Sequence, residues 1–337
     1  MRPRMAPASE SVVAARPRPA VVRGLLWLGP DYTVLLIFAL LFVILAFVYG
    51  ARWNFFNLTI FGALGMAAVF VGGTAVMHAR RLWRREPGAI AYFKRRSLEV
   101  MRDFGPFIGL MLVYEHLYMY TGVIRQGRID ASLMAADITL FGVEPTLWIG
   151  KLAHPVLTDI FAVAYASYFP MPLFLCLVLQ LRGRRHDFQE LVTAITVAFY
   201  TGFLGYLFFP AGPPRFYQPI LHLFDPPVLQ SALGFFETSQ ATWDAANQVK
   251  VSASFPSMHC GLSMLTLIYA WRFRDMVKRR GLLLGVFAVC TVTLWTSTIY
   301  LRHHWIVDCF AGWSVAFFAA FAAPRLRKAW GGGALED

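Results

Sequence analysis

The sequence predicts an all-α, polytopic membrane helix bundle of about eight transmembrane helices, and three observations predict it. The chain has 337 residues, 58% hydrophobic and 15% charged, against about 25% charged in an average soluble domain. Apolar runs of about 18 to 20 residues recur along it, each long enough to cross a hydrocarbon core of about 30 Å. Lipid satisfies no backbone hydrogen bond, so such runs are helical. The third observation is the placement of positive charge. With the N-terminus cytoplasmic, only Arg52, Arg125, Arg128, Lys151, Arg215, Lys250 and Arg302 of the 31 Lys and Arg fall in outside segments, as the positive-inside rule demands.

The spans are expected at 32–50, 55–77, 104–123, 157–181, 191–209, 257–272, 281–300 and 304–322. Residues 1–31 are rich in Pro, Arg and Ala without an apolar core or a cleavage site, and read as a disordered basic cytoplasmic tail, not a signal peptide. The first two spans carry almost no polar groups and read as an accessory pair over 32–77. A basic cytoplasmic connector (78–103) leads to a six-span catalytic core (104–322), and 323–337 forms a cytoplasmic tail. The net charge of +12 is thereby topology and contact with anionic headgroups, which excludes a nucleic-acid partner. Cys176, Cys260, Cys290 and Cys309 show no metal-type spacing and read as small buried residues.

Two outside segments are long. Residues 124–156 mix apolar residues with Asp130, Asp137 and Glu144, a pattern for one or two short helices in the interface; the three carboxylates either recognise a polar headgroup or are solvated. Residues 210–255 open on Pro210-Ala211-Gly212-Pro213-Pro214-Arg215-Phe216-Tyr217 and end before Phe255-Pro256-Ser257-Met258-His259. Function is expected on this outer face.

Ser254-Phe255-Pro256-Ser257 is a helix-start signal, and free N–H groups at such a start favour a phosphate. His259 lies in that first turn. His304 precedes Asp308 by four residues, one helical face, with the carboxylate placed to accept the imidazole N–H. Such a pair fixes the tautomer and makes the other nitrogen a better nucleophile. His303, five residues from Asp308, points elsewhere on a helix. Arg215 and Arg302 supply cations for an anionic substrate, although Arg302 could instead snorkel to lipid phosphates.

The order Gly-Pro-Pro-Arg, Pro-Ser-x-His, then Ser-x6-His-x3-Asp resembles the type 2 phosphatidic acid phosphatase superfamily. The fuller motifs at 210–217, 254–259 and 303–308 are similar to its branch holding fungal inositol phosphorylceramide synthase and the sphingomyelin synthases, over about residues 104–322. The resemblance implies that His304 attacks phosphorus to give a phosphohistidine, Asp308 orients it, and His259 protonates the leaving oxygen. Arg215, Ser257 and backbone N–H groups would hold the phosphoryl oxygens.

Three positions depart from the phosphatase pattern. Thr298 stands where Arg follows the motif Ser, Met258 replaces the motif Gly, and no basic residue occurs in 203–214. A monoester carries nearly two negative charges and a diester one, so fewer cations suit a diester. Arg302, one turn beyond Thr298, is a candidate replacement. The expected activity is therefore transfer of a phospho-headgroup from a phospholipid to a lipid alcohol. The alternatives are hydrolysis of a lipid phosphate, with water as acceptor, or a non-catalytic lipid-binding or transport protein.

Further candidates line the expected site. Glu115 and His116 sit at a costly depth, as a headgroup contact or an interhelical hydrogen bond. Tyr165, Tyr168 and Pro170-x-Pro172 either line a lipid entrance or pack, and Tyr217 and Thr298 are possible lining residues. No cofactor and no metal is expected, since His304 supplies the nucleophile and no acidic cluster resembles a Mg²⁺ site. The compact loops place the chain in a bacterial inner membrane with the site facing the periplasm.

Overall fold

A computed structural model of the chain describes residues 26–50, 86–117, 120–238, 253–277 and 279–330, with a few isolated positions besides. Most of the expected tail, up to residue 25, most of the second span at 55–77, residues 239–252 of the second long outside segment and the last residues of the C-terminal tail lie outside the described residues, whereas residues 26–31, expected in the tail, lead helically into the first span. The regular elements among the described residues are α-helices and short 3₁₀ turns, joined by loops. In chain order the helices are α1 (Pro30–Tyr49), α2 (Ala89–Leu117), α3 (Asp130–Phe141), α4 (Pro145–Gly150), α5 (Pro155–Ala166), α6 (Pro170–Leu181), α7 (Arg185–Phe208), α8 (Met258–Arg272), α9 (Arg280–Tyr300) and α10 (Ile306–Ala329).

Among the described residues α1, α7, α9 and α10 are each long and apolar enough to span a membrane. The helix expected over 157–181 is instead two, α5 and α6, meeting at a 46° bend and together able to cross. Pro170 stands at the break: it lacks an N–H to continue the preceding helix, its ring crowds the turn before it, and it opens the next helix at the first position. α8, at 15 residues, is shorter than a full span. α2 begins at Ala89 and takes in much of the segment expected as a connector. Its charged first half is stabilised by ion pairs one turn apart, Arg96 to Glu99 at 2.8 Å and Arg95 to Glu99 at 3.8 Å, which hydropathy does not register. The chain is a multi-pass membrane protein.

α7 is the axis of the bundle. It is buried along most of its length, as an all-round apolar helix in a bundle centre should be, and α1, α2, α6, α8 and α10 pack on it. α1 is no outlier: Phe38 meets the Tyr200 ring at 4.2 Å and Phe42 meets Tyr120 at 5.4 Å. Its other side exposes Ile37, Leu40, Val43 and Phe47, a surface that belongs in lipid.

α8 and α10 approach closely through one glycine pair. A Cβ at Gly261 would stand 2.9 Å from the Gly312 carbonyl oxygen, and one at Gly312 would collide with the Ser257 carbonyl. Small residues at a helix crossing let the backbones touch, and this crossing lies within two turns of the N-termini of both helices. It draws the segments bearing His259 and His304 together. At the opposite end lie Arg102, Arg184, Arg185, Arg272 and Arg327, so the bundle has a histidine end and an arginine end.

Candidate active site

Backbone hydrogen bonds tie the three motifs pairwise at the histidine end. Ser254 N–H donates to the Ala211 carbonyl at 3.0 Å beside a parallel bridge between Ala211 and Ala253. Arg215 N–H donates to the Arg302 carbonyl at 3.3 Å, and Ser257 N–H to the Asp308 carbonyl at 3.0 Å. The Trp305 indole N–H adds a bond to the Gly212 carbonyl at 3.1 Å. Residues far apart in the chain are thereby fixed as one unit.

His304 and Asp308 meet there. His304 Nδ1 lies 3.3 Å from Asp308 Oδ2, leaving Nε2 as the ring nitrogen outside that bond. The geometry differs from the helix-face argument, because α10 starts only at Ile306 and Trp305 is its N-cap. His304 sits in the turn before the helix, and Thr298 closes that turn by accepting both the His303 and His304 N–H groups, at 2.9 and 3.1 Å. Asp308 folds back to accept the Trp305 N–H at 3.2 Å. Ser254 Oγ completes the group, 3.1 Å from Asp308 Oδ2 and 3.2 Å from His304 Nδ1. Spacing alone did not single out Ser254, although it stands inside the second motif.

His259 and His303 share the space in front of His304. The His259 and His304 rings are 5.5 Å apart. Tyr165 lies between His259 and His303, stacked at 4.1 and 4.4 Å, and its hydroxyl is 3.4 Å from His259 Nδ1. Tyr168 leans on His259 at 3.9 Å. Burial, with the nearby charges of Arg215, His304 and His259, pushes His303 well below the usual imidazole range, so it stands as a neutral ring.

The histidines open on a cavity of about 450 Å³. Ser254, His259, His303 and His304 form its polar end, and Phe107, Leu110, Met111, Leu173, Phe199 and Phe203 its apolar depth. Tyr114, Tyr165, Tyr168 and Tyr206 also line it. A pocket polar at one end and apolar along its length matches an amphiphile.

Ser257 is buried and caps α8, its Oγ accepting the Cys260 N–H at 3.3 Å. Met258 lines the cavity, and the lack of a side chain at Gly202 on α7 makes room for it. Thr298 points away from the cavity, its hydroxyl 3.5 Å from Cys309 Sγ and 3.8 Å from Cys260 Sγ.

Arg302 holds a left-handed backbone, φ 61°, and its guanidinium donates to the Pro226 and Pro227 carbonyls at 2.7 and 3.0 Å over the Phe224 ring. Burial lowers it to about 10. It latches a loop and does not line the cavity. Arg215 is not itself a lining residue, but its guanidinium sits over the ring of Phe216 at 4.4 Å, and Phe216 lines the cavity. Tyr217 packs edge-on against Trp305 at 5.8 Å. His116 Nδ1 bonds the Leu112 carbonyl at 2.8 Å within α2, while the Glu115 side chain lies outside the described residues.

The outer-segment carboxylates are structural partners of backbone amides. Asp130 accepts the Gly212 N–H at 2.7 Å, Asp137 those of Ile306 and Val307 at 2.8 and 3.0 Å, and Glu144 that of Leu147 at 2.8 Å. Burial, with the charges of Glu144 and Asp308 adding to it, raises Asp137 to about 6 against the lowering effect of its two N–H donors. Among the described residues no group of three or more His, Cys, Asp or Glu is spaced to hold a metal ion.

Residues 132–322 match the PAP2 superfamily, and the chain belongs to that superfamily. The chain is also 28% identical over 200 residues to a phosphoinositol dihydroceramide synthase of Bacteroides thetaiotaomicron, an alignment covering 56% of this chain and 60% of that protein. No solved structure matches the chain.

Proposed function

We propose that the chain is an enzyme that transfers a phospho-headgroup from a phospholipid to a lipid alcohol through a phosphohistidine on His304. His304 Nε2 attacks phosphorus, the bond from phosphorus to the diacylglycerol oxygen breaks, and His259 delivers a proton to that oxygen. The acceptor hydroxyl then attacks phosphorus, His259 takes its proton, and the N–P bond breaks to return free His304. Asp308 holds Nδ1–H and stabilises the imidazolium character that develops, with Ser254 fixing the carboxylate. Arg215 is assigned to the phosphoryl oxygens. The observation that carries this reading is the Asp308–His304 bond at 3.3 Å with His259 across the same amphiphile-shaped cavity.

The relative's name points to a phosphoinositol headgroup and a dihydroceramide acceptor, and the cavity's tyrosine hydroxyls suit a polyol. Arg302 is assigned to the loop latch, not to phosphate. Arg215, whose guanidinium lies over the cavity-lining Phe216 ring, is the cation assigned to the substrate, and a site with few cations suits a diester's one charge. The histidine end is assigned to the outer face and the arginine end to the cytoplasm of a bacterial inner membrane, as the positive-inside rule requires.

The test is pure protein in detergent with a lipid panel, scored for free phosphate and for new headgroup lipids. Transfer to a lipid alcohol is the expected result, with radiolabelled phosphate trapped on protein and lost in His304→Ala. Release of phosphate from phosphatidate with no headgroup transfer would replace the transferase with a phosphatase. Lipid binding without turnover or covalent phosphate would leave a binding protein on an enzyme fold.

A further inference from the structure

The N-terminus of α10 is capped from a helix remote in sequence. Its N-cap residue, Trp305, has no side-chain oxygen to accept an orphan N–H, and its indole N–H is spent on Gly212. Helix-start amides left unpartnered in a buried setting are costly. Here Asp137 takes two of them, Ile306 N–H at 2.8 Å and Val307 N–H at 3.0 Å, from 169 and 170 positions earlier in the chain. Its side chain is fully buried, and a carboxylate at a helix N-terminus is favoured by the helix dipole.

Asp137 is one of two such contacts on α3. Asp130, seven residues earlier and so on the same face, accepts the Gly212 N–H in the loop that carries Arg215. Leu133 packs between them in the cluster that contains Ala211 and Trp305. One rigid helix face therefore holds both the Arg215 loop and the start of α10. No residue of α3 lines the cavity.

We propose that Asp137 is a positioning residue of the transfer site: it fixes the first turn of α10 so that Asp308 meets His304 Nδ1, and α3 carries that register to the Arg215 loop. The inference rests on the reading that His304 is the nucleophile. A displacement of about 1 Å at a reacting group costs on the order of 100-fold in rate, so a support that never touches substrate can still govern turnover.

The experiment compares full-length wild type and Asp137→Asn in detergent. Asparagine keeps the shape but offers one acceptor oxygen and an NH₂ that opposes the second N–H. Hydrogen exchange across residues 305–309 is expected to rise at least about tenfold in the variant, with the rest of α10 unchanged. Labelling of His304 by diethyl pyrocarbonate is expected to change rate, because it reads the exposure and basicity of the imidazole without turnover. The kcat for headgroup transfer is expected to fall about 10- to 100-fold with KM within about twofold.

If Asp137→Asn is not recovered folded, Asp137→Glu carries the same test, since it keeps two oxygens but displaces them by one methylene. It is expected to show a smaller loss of the same kind. A folded variant with wild-type exchange at 305–309, or with wild-type kcat, overturns the proposal. If wild type itself traps no phosphate on His304, the reading of function fails, while exchange and labelling still decide whether Asp137 holds the segment.

Discussion

At the histidine end of the bundle carboxylates bind backbone amides, whereas at the arginine end they bind guanidinium groups. Asp130, Asp137, Glu144 and Asp159 accept N–H groups from Gly212, Ile306, Val307, Leu147, Ala232 and Leu233; one ion pair, Arg128 to Asp130 at 2.6 Å, joins them. At the other end Arg102 pairs with Asp103 at 3.0 Å, Arg185 with Asp103 at 3.4 Å, Arg184 with Asp275 at 2.8 Å and Arg272 with Glu190 at 2.7 Å. The uneven placement of Lys and Arg between the two ends explains the difference. Where Lys and Arg are scarce, a buried carboxylate finds its partners among helix starts and loop amides. None of the four amide-bound carboxylates lines the cavity, so their charge shapes loops without facing it.

If the two ends divide chemistry from stability in this way, His304→Ala is the change with the largest effect. Removing a nucleophile that acts as part of a unit costs on the order of 10⁴- to 10⁶-fold in kcat, with the melting temperature in detergent close to wild type. Residual turnover within tenfold of wild type would break the assignment. His259→Ala follows, at about 10²- to 10⁴-fold for loss of a general acid. The loss is expected to shrink on a substrate whose leaving group is an acidic phenol, since that oxygen needs no proton. An equal loss on both substrates would remove His259 from that role.

A smaller effect falls on stability. Asp137 titrates at about 6 in the fold and at about 3.9 in an unfolded chain. Between those values the native state holds the extra proton, so stability declines as pH rises from about 4 to about 6 and is level above that. The ionised side chain therefore costs the fold at neutral pH, at most about 3 kcal/mol on the scale of about 1.4 kcal/mol per tenfold change in proton affinity. The groups facing it are Glu144, Asp308 and the Ile306 and Val307 amides. Melting temperatures of wild type and Asp137→Asn across pH 4–8 check the window: the gap between them should change below about pH 6 and be constant above it. A constant gap throughout would show that Asp137 does not titrate there.

Hydropathy and the three motifs made the fold class and the meeting of His259, His304 and Asp308 legible in the sequence, because both are local or short-range signals. What stayed hidden is long-range or stereochemical. Asp130 and Asp137 look like headgroup contacts or solvated charges until Gly212 and Ile306 are folded onto them. Arg302 looks like a phosphate ligand until its left-handed backbone and the Pro226 and Pro227 carbonyls turn it into a latch. The spacing of His304 and Asp308 pointed to a helix face, yet the bond forms through a capped turn. The break at Pro170 was visible as a proline, but its neighbours are apolar enough to hide it within a single span.

The smallest expected effect tests the arginine end. Glu190 Oε1 accepts Arg272 Nη1 at 2.7 Å and the Tyr269 hydroxyl at 3.2 Å, and Arg272 also donates to the Ala320 carbonyl at 3.2 Å, joining α7, α8 and α10. Glu190→Gln keeps an acceptor oxygen but removes the charge. Breaking a fully buried pair costs about 3–5 kcal/mol. Arg272 is 36% exposed here, so solvent screening and water at the guanidinium reduce the loss to about 1–2 kcal/mol. That loss should appear as a lower melting temperature in detergent, with kcat and KM of the folded protein within about twofold of wild type. α8 and α10 run from this pair to His259 and Asp308, so a kinetic defect without a loss of stability would show that the helices transmit a shift from one end to the other. Unchanged kinetics with the expected destabilisation would show that the crossing at Gly261 and Gly312 isolates the histidine end from the ion pairs beneath it.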